Sequence, residues 1–317
     1  MSNFDFTARN EPTFYYIGVT TTQSSIMKVF PEWAKYLGIG ETPIIGIDCK
    51  LHDNPDVYRT VVKFIKNDKN SMGALVTSHK IDLFEAAKDL FDQVGPYAKL
   101  LGETSCISKK ENDLWGHAKD PITSGLSLKA ILPFDHWKKT RAEICILGAG
   151  GASLALTTYL MESKINSNWP SKIYVTNRSV PRLEKMKKIH SKINPGIPID
   201  YFHCPIPEAN DKVVNRLKPY SLVVNGTGLG KDAPGSPISD IAQFPENGFA
   251  WDFNFRGNLK FLDQAIAQKE EKNLHVENGW VYFLHGWTRV IAEVFHINIP
   301  TSGPEFEKLS QIAARVK

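Results

Sequence analysis

A chain of 317 residues is long enough for two domains, and its core needs neither a metal nor a disulfide to hold it. A net charge of +4, dispersed along the chain, excludes a nucleic-acid surface, and 42% apolar with 23% charged residues excludes a disordered or collagen-like protein. No apolar run reaches the roughly 18 residues of a membrane helix, and Met1 to Asn10 carry no secretory signal, so the expectation is a cytoplasmic protein with no membrane partner. Cys49, Cys106, Cys145 and Cys204 are scattered and form no C-x-x-C pair, which predicts no metal site and suits a reducing compartment.

In chain order, Phe14 to Val19 predicts a short strand, Ser25 to Leu37 a helix, Pro43 to Asp48 a second strand, Val57 to Lys66 a helix and Gly73 to Thr77 a third strand. Ser78 reads as the N-cap of a helix whose apolar positions, Leu83, Ala86, Ala87, Leu90, Phe91 and Val94, repeat at three- and four-residue spacing until Gly95-Pro96 closes it. Pro133 to Thr140 is the predicted linker. Beyond it, strands are expected at Glu143 to Leu147, Lys172 to Thr176, Ile199 to Phe202, Leu222 to Asn225 and Phe249 to Phe253, with helices at Leu154 to Glu162 and from Pro181. Strands alternating with helices predict an α/β fold, and the chain from Leu259 onward is helical in pattern.

The strand ending at Leu147 runs into Gly148-Ala149-Gly150-Gly151-Ala152-Ser153 and then a helix. Strand, glycine turn, helix, strand is a dinucleotide-binding unit. Glycine lets the turn be tight and lets the backbone approach a pyrophosphate, while the helix start offers free N–H groups and its positive dipole end. The third fingerprint glycine is Ser153, small enough for close helix–strand packing. An acidic residue after the second strand would mark NAD. Here Asn177-Arg178-Ser179 and Arg182 stand there instead, and two arginines suit a 2′-phosphate, so NADP is expected over NAD.

These residues resemble the shikimate/quinate dehydrogenase family over most of the chain. The glycine turn is similar to that family's GAGGAx turn, and Asn177-Arg178-Ser179-Val180-Pro181-Arg182 resembles its NRTxxR clamp. Asn225-Gly226-Thr227-Gly228-Leu229-Gly230 resembles its NATxxG loop beside the nicotinamide, Trp251-Asp252-Phe253-Asn254-Phe255 its YDxxY strand end, and Asn278-Gly279-Trp280 its glycine segment before the last helices. The resemblance implies a two-domain protein: a substrate-binding and catalytic α/β domain over 1–139, a Rossmann-type NADP domain over 140–256, and C-terminal helices over 257–317 returning to the first domain. It implies cofactor contacts at Gly148, Ala149, Gly150, Gly151, Ala152, Asn177, Arg178, Ser179, Arg182, Asn225, Thr227, Gly228, Phe253 and Gly279. It also implies a place in aromatic amino acid biosynthesis.

The catalytic half is similar with gaps. Val76-Thr77-Ser78-His79-Lys80 is one residue shorter than the family's VTxPxK, and Gly116-His117-Ala118-Lys119-Asp120 keeps the Gly-to-Asp spacing of GxNTDxxG. By this match Lys80 and Asp120 are the catalytic pair. A lysine at a helix start, with its pKa lowered by the dipole and by burial, relays the alcohol proton, while the aspartate orients it and binds a substrate hydroxyl. Asp120-Pro121 is equally a plain helix start, and His79 is a rival proton carrier. The implied substrate contacts are Ser24, Ser25, Thr77, Thr104, Phe255 and His285. Ile26 replaces a family serine, Phe255 a tyrosine and Gly286 a glutamine. Losing two donors to a substrate carboxylate, each worth roughly 1.5–3 kcal/mol, calls for replacements, for which His285, Gln23 and Lys119 are candidates. The expected activity is NADP-dependent interconversion of a cyclic secondary alcohol (shikimate, quinate, or a related hydroxy acid or polyol) and its ketone. The alternative is a non-catalytic NADP- or metabolite-binding protein that retains the fold.

Overall fold

The computed structural model describes residues 4–162, 168–193 and 196–316, and the chain forms two compact units. The first comprises Met1–Lys119 and Leu284–Lys317, the second Asp120–Phe283.

In the first unit β1 (Thr13–Gly18), α1 (Ile26–Leu37), β2 (Ile44–Asp48), α2 (Pro55–Asn67), β3 (Ser71–Val76), α3 (Lys80–Ala87), β4 (Gln93–Val94), α4 (Pro96–Leu101), β5 (Cys106–Lys110) and β6 (Asp113–His117) build a sheet of order β2-β1-β3-β5-β6-β4. The β1 strand pairs in parallel with β2 and β3, and β5 runs antiparallel to both β3 and β6. Asn54 caps α2 by accepting from the Asp56 N–H, with Pro55 in the first turn, which starts the helix two residues before its apolar pattern does. Tyr15, Ile17, Ile47, Val61, Ile65, Ala74, Val76 and Leu83 are buried in one core.

The predicted helix after Ser78 is corrected. Ser78 has φ +60 and caps nothing; His79 precedes the helix, and Lys80 is its first residue. The helix ends at Ala87, and a single 3-10 turn leads to β4, which pairs in parallel with β6. The reason is tertiary: the Phe91 ring lies over Gly116, where a Cβ would come within 3.2 Å of it, and Asp92 takes the Leu114 N–H at 2.8 Å. Apolar spacing fits a helix here, but the packing of Phe91 requires an extended chain.

In the second unit come α5 (Asp120–Ile131), α6 (His136–Thr140), β7 (Ile144–Leu147), α7 (Gly151–Glu162), β8 (Ile173–Asn177), α8 (Val180–His190), β9 (Ile199–His203), α9 (Pro207–Val214), β10 (Leu222–Asn225), β11 (Phe249–Asp252), α10 (Lys260–Ala267), α11 (Lys269–Lys272) and β12 (His275–Glu277). The next helix, α12 (Trp280–Phe295), carries the boundary back to the first unit, which ends with α13 (Pro304–Val316). The second sheet is parallel throughout, with order β12-β11-β10-β7-β8-β9, a doubly wound arrangement whose strand order reverses between β7 and β10.

The division falls after Lys119, where the sequence suggests 139, and within α12, where it suggests 256. Packing explains both. Gly125 on α5 leaves room for the Tyr159 ring of α7, tying α5 to the second unit. The predicted linker contains a helix, α6, whose His136 and Trp137 are buried, with His136 set edge-on to Phe249. In the first unit Phe14 contacts Trp287 and Phe295, and the Trp33 indole N–H donates to the Leu309 carbonyl at 2.8 Å, so the later helices share that unit's core.

Ser153 lies in the first turn of α7, fully buried, with no partner for its hydroxyl. That hydroxyl fills the place a Cβ on Gly226 would occupy. Gly226→Ala is therefore expected to destabilise the protein by about 1–3 kcal/mol through overpacking, and Ser153→Ala in the same chain to recover most of the loss. Urea denaturation of the two single variants and the double variant tests this; additive effects would disprove the coupling.

Candidate functional site

At the end of β7 the Gly148 N–H donates to the Thr176 carbonyl at 2.8 Å, and the chain turns at φ +107. A Cβ here would stand 3.0 Å from the Thr227 methyl and 3.1 Å from the Gly226 carbonyl, so conformation and space both require glycine. A cavity of about 340 Å³ opens at this turn. Of the expected cofactor residues, Gly148, Ala149, Gly150, Asn177, Arg178, Arg182, Thr227 and Gly228 line it. Gly151 and Ala152 form the first turn of α7, where backbone N–H groups lack intrahelical acceptors. Arg178 and Arg182 are both exposed, on either side of the start of α8. Asn177 ties the two segments together: its Oδ1 accepts from the Ala149 N–H at 3.3 Å and its Nδ2 donates to the Ser179 carbonyl at 3.0 Å. Ser179 stands at the N-cap position of α8 and makes no capping bond with its side chain.

Six of the expected cofactor residues lie outside the cavity wall: Gly151, Ala152 and Ser179 already described, and Asn225, Phe253 and Gly279. Asn225 is fully buried; the Thr227 N–H and hydroxyl both donate to its Oδ1, at 3.0 and 2.6 Å, while its Nδ2 donates to Asp252 at 3.0 Å. Gly279 lets the chain pass against β11, since a Cβ there would overlap the Phe253 carbonyl, and its N–H donates to the Asn254 carbonyl at 3.0 Å. Phe253 stacks on Tyr282, with ring centres 5.0 Å apart. Phe255 is half-buried against Phe283 and Trp280, at 4.8 and 5.7 Å. The sequence did not single out the far wall: Pro205, Ile206 and Pro207 after β9, Asn210 on α9, and Asp232 and Pro237 after β10. The proline-flanked turn directly after a strand was the one available signal.

Asp252 closes this polar scaffold. It is fully buried and accepts from Asn225 Nδ2 and from the Asn254 N–H and Nδ2, the latter two at 2.8 Å. Asn254 Nδ2 also donates to the Thr227 carbonyl at 3.0 Å, joining β11 to the cavity loop. Burial pushes the Asp252 carboxyl up to about 6 despite these donors.

In the first unit Lys80 opens α3, and its carbonyl accepts from the Thr104 N–H at 3.1 Å. Thr77 is half-buried at the end of β3, its N–H bonded to the Ile17 carbonyl. Ser24 and Ser25 are half-buried just before α1, and Ser25 holds the N-cap position without a capping bond. Asp120 is the first residue of α5 in the second unit, and the Thr123 hydroxyl donates to its carbonyl. Several expected roles change. Thr104 is fully buried, with its hydroxyl within 3.1 Å of the Cys106 and His117 carbonyls, so it braces the Lys80 backbone instead of presenting a free hydroxyl. His79 is fully buried beside the Tyr58 hydroxyl at 3.1 Å, and burial lowers its pKa, which makes it a neutral structural ring. His285 is buried beneath Phe306, ring centres 4.5 Å apart, and burial lowers it to about 4, so it supplies no cation for a carboxylate. Lys119 is ion-paired with Glu293, which also stands 3.3 Å from His117.

No family model matches the chain. It is similar to the shikimate dehydrogenase (NADP(+)) of Streptococcus thermophilus strain LMD-9, 28% identical over 226 residues, or 70% of this chain and 72% of that protein. It is also similar to the enzyme of that name from Streptococcus mutans, 30% identical over 166 residues, 51% and 53% of the two chains. The second alignment thus spans about half of that relative. Among solved structures, shikimate dehydrogenase from Aquifex aeolicus superposes with a TM-score of 0.73 at 20% identity, covering 98% of this chain and 99% of that one, a likeness of fold.

The raised pKa of Asp252 makes a pH prediction. Its folded value lies above the ordinary 3.8, so the contribution is fully present at low pH and is lost as pH rises through about 6. Stability should fall by up to about 3 kcal/mol between pH 4 and 7 on account of this group. Asp252→Asn should remove that slope, as read from urea midpoints across the range; an unchanged slope would assign it to other groups.

Proposed function

We propose that this divergent shikimate dehydrogenase-like chain is an NADP-dependent oxidoreductase that interconverts a cyclic secondary alcohol and its ketone. The observation that carries this is the cavity itself: a glycine turn, a helix N-terminus and two arginines in one wall, at the carboxyl ends of β7 and β8. The residues fit NADP. Gly148 leaves the turn open to a pyrophosphate, and Arg178 and Arg182 give a 2′-phosphate two guanidinium partners with no competing carboxylate at the end of β8. The names of the relatives, shikimate dehydrogenase (NADP(+)), support the same cofactor and reaction class.

NADP, when bound, supplies the hydride acceptor or donor. The chain supplies the rest. Lys80, at the start of α3, takes the alcohol proton in oxidation and returns it in reduction, as a positioned lysine beside the reacting oxygen can. Asp120 accepts a hydrogen bond from a ring hydroxyl and so orients the carbon that reacts. Ser24, Ser25 and Thr77 contribute neutral hydroxyls. The substrate class is a cyclic hydroxy acid or polyol, with shikimate and quinate as first members of a test panel. A non-catalytic binding role is disfavoured because Lys80 and Asp120 are both retained.

With NADP or NAD and a panel of shikimate, quinate, aminoshikimate and neutral cyclic polyols, reduced-cofactor absorbance should rise with at least one substrate. Lys80→Met should lower kcat by roughly 100- to 10,000-fold with NADP affinity unchanged. Arg182→Ala should raise the KM for NADP about tenfold or more and leave NAD unaffected. Tight NADP binding without turnover on any member would leave the binding role instead, and turnover unaffected by Lys80→Met would remove lysine from the mechanism.

A further inference from the structure

The cavity wall that carries Arg178 and Arg182 also carries a carboxylate, which a pocket made only for phosphates would exclude. After β10 the chain folds back, with the Asp232 N–H on the Gly228 carbonyl and the Gly230 N–H on the Ala233 carbonyl, both at 2.7 Å. This turn brings Asp232 into the wall beside Gly228, where a Cβ would stand 3.0 Å from its Oδ2. Among the described residues its carboxylate bonds only the Lys231 ammonium, at 3.2 Å, and such exposed pairs contribute little. A second acceptor in the same wall has no donor: Asn210 gives its Nδ2 to the Pro237 carbonyl at 2.7 Å, while its buried Oδ1 has no partner. Pro205, Ile206, Pro207 and Pro237 supply flat apolar surface to the same cavity.

A carboxylate beside a phosphate site weakens the binding of an anionic ligand unless that ligand brings it an N–H or O–H. The adenosine half of NADP offers two kinds: the 3′-hydroxyl, and the exocyclic amino group at the edge of the base. The 2′-oxygen is taken up by its phosphate. A planar base suits the proline and isoleucine surface, and its amino edge then meets an acceptor-rich wall. We propose that Asp232 accepts a hydrogen bond from the adenine amino group and so selects an aminopurine dinucleotide. The proposal rests on the cavity being the NADP site. A base with an oxo group at the same edge presents lone pairs to the carboxylate and is repelled.

Isothermal titration of the full chain with NADP and with nicotinamide hypoxanthine dinucleotide phosphate reads this without turnover. The wild type should bind the amino form roughly 10- to 100-fold more tightly. Asp232→Asn, whose amide can donate as well as accept, and Asp232→Ala should each narrow that ratio to about threefold or less, with unchanged melting temperatures. A 3′-deoxy analogue of NADP should bind within about threefold of NADP in all three proteins. Equal wild-type affinity for the amino and oxo forms, or a ratio that survives both substitutions, overturns the proposal. A loss confined to the 3′-deoxy analogue in the wild type overturns it in favour of the ribose. Failure of every dinucleotide to bind overturns the NADP assignment itself, a result distinct from equal binding.

Discussion

Backbone N–H groups can meet a phosphate only where no side chain stands between, and the second unit is organised around that clearance. Gly148 turns at φ +107 with the Gly226 carbonyl already within van der Waals reach of any added carbon. The β10 loop therefore presses on the turn from the opposite side, and the cavity exists because both segments have given up their Cβ atoms. Ser153 is larger than the glycine expected in the third position, and Gly226, where the resembling family has alanine, supplies the missing volume. The two positions, 73 residues apart in the chain, fit one another: the Ser153 hydroxyl occupies the space that a Cβ on Gly226 would need. The close approach at this point leaves room for the Ser153 side chain only because residue 226 has none.

The loop over that turn is held by neutral amides around one buried carboxyl. Asn225 and Asn254 both donate to Asp252, Thr227 closes on Asn225, and Asn254 reaches back to the Thr227 carbonyl. None of these bonds requires a cation. That matters for the proposed cofactor, because among the described residues the cations in the wall are Arg178 and Arg182, toward the end of β8. Charge in the cavity thus runs from arginine at the β8 end to Asp232 on the loop after β10, a polarity that orients a ligand carrying anionic groups and a hydrogen-bond donor.

The parallel sheet, the glycine turn and the pair of arginines beside it were legible in the sequence because each follows from a local rule: strand length, φ at one residue, charge after a strand. What escaped depended on distant partners. The β5–β6 hairpin reads as Cys-Ile-Ser-Lys-Lys and Asp-Leu-Trp-Gly-His, too polar to announce strands, and is fixed by pairing with β3. The helix expected through Val94 obeys its own periodicity until Phe91 meets Gly116. His79, Thr104 and His285 have the chemistry of site residues in isolation, and only their burial against Tyr58, two strand-end carbonyls and Phe306 reveals structural roles.

This difference explains why the two halves of the proposed enzyme read so unequally. Cofactor binding relies on backbone geometry, which tolerates change only in compensated pairs and so leaves its motifs intact. Substrate binding relies on individual side-chain donors, each replaceable alone. Of the three candidates for holding a carboxylate in place of the lost donors, Lys119 is spent on Glu293 and His285 is buried and neutral. Gln23, exposed in the 3-10 turn before α1, remains, and a neutral amide holds a carboxylate less strongly than a charge-assisted contact does. Aromatic surface has meanwhile taken the place of a phenol at Phe255, backed by Trp280 and Phe283. In the proposed substrate site both changes would lower the reward for an anionic group and raise it for an apolar ring face, which is why neutral polyols belong in the substrate panel beside the hydroxy acids.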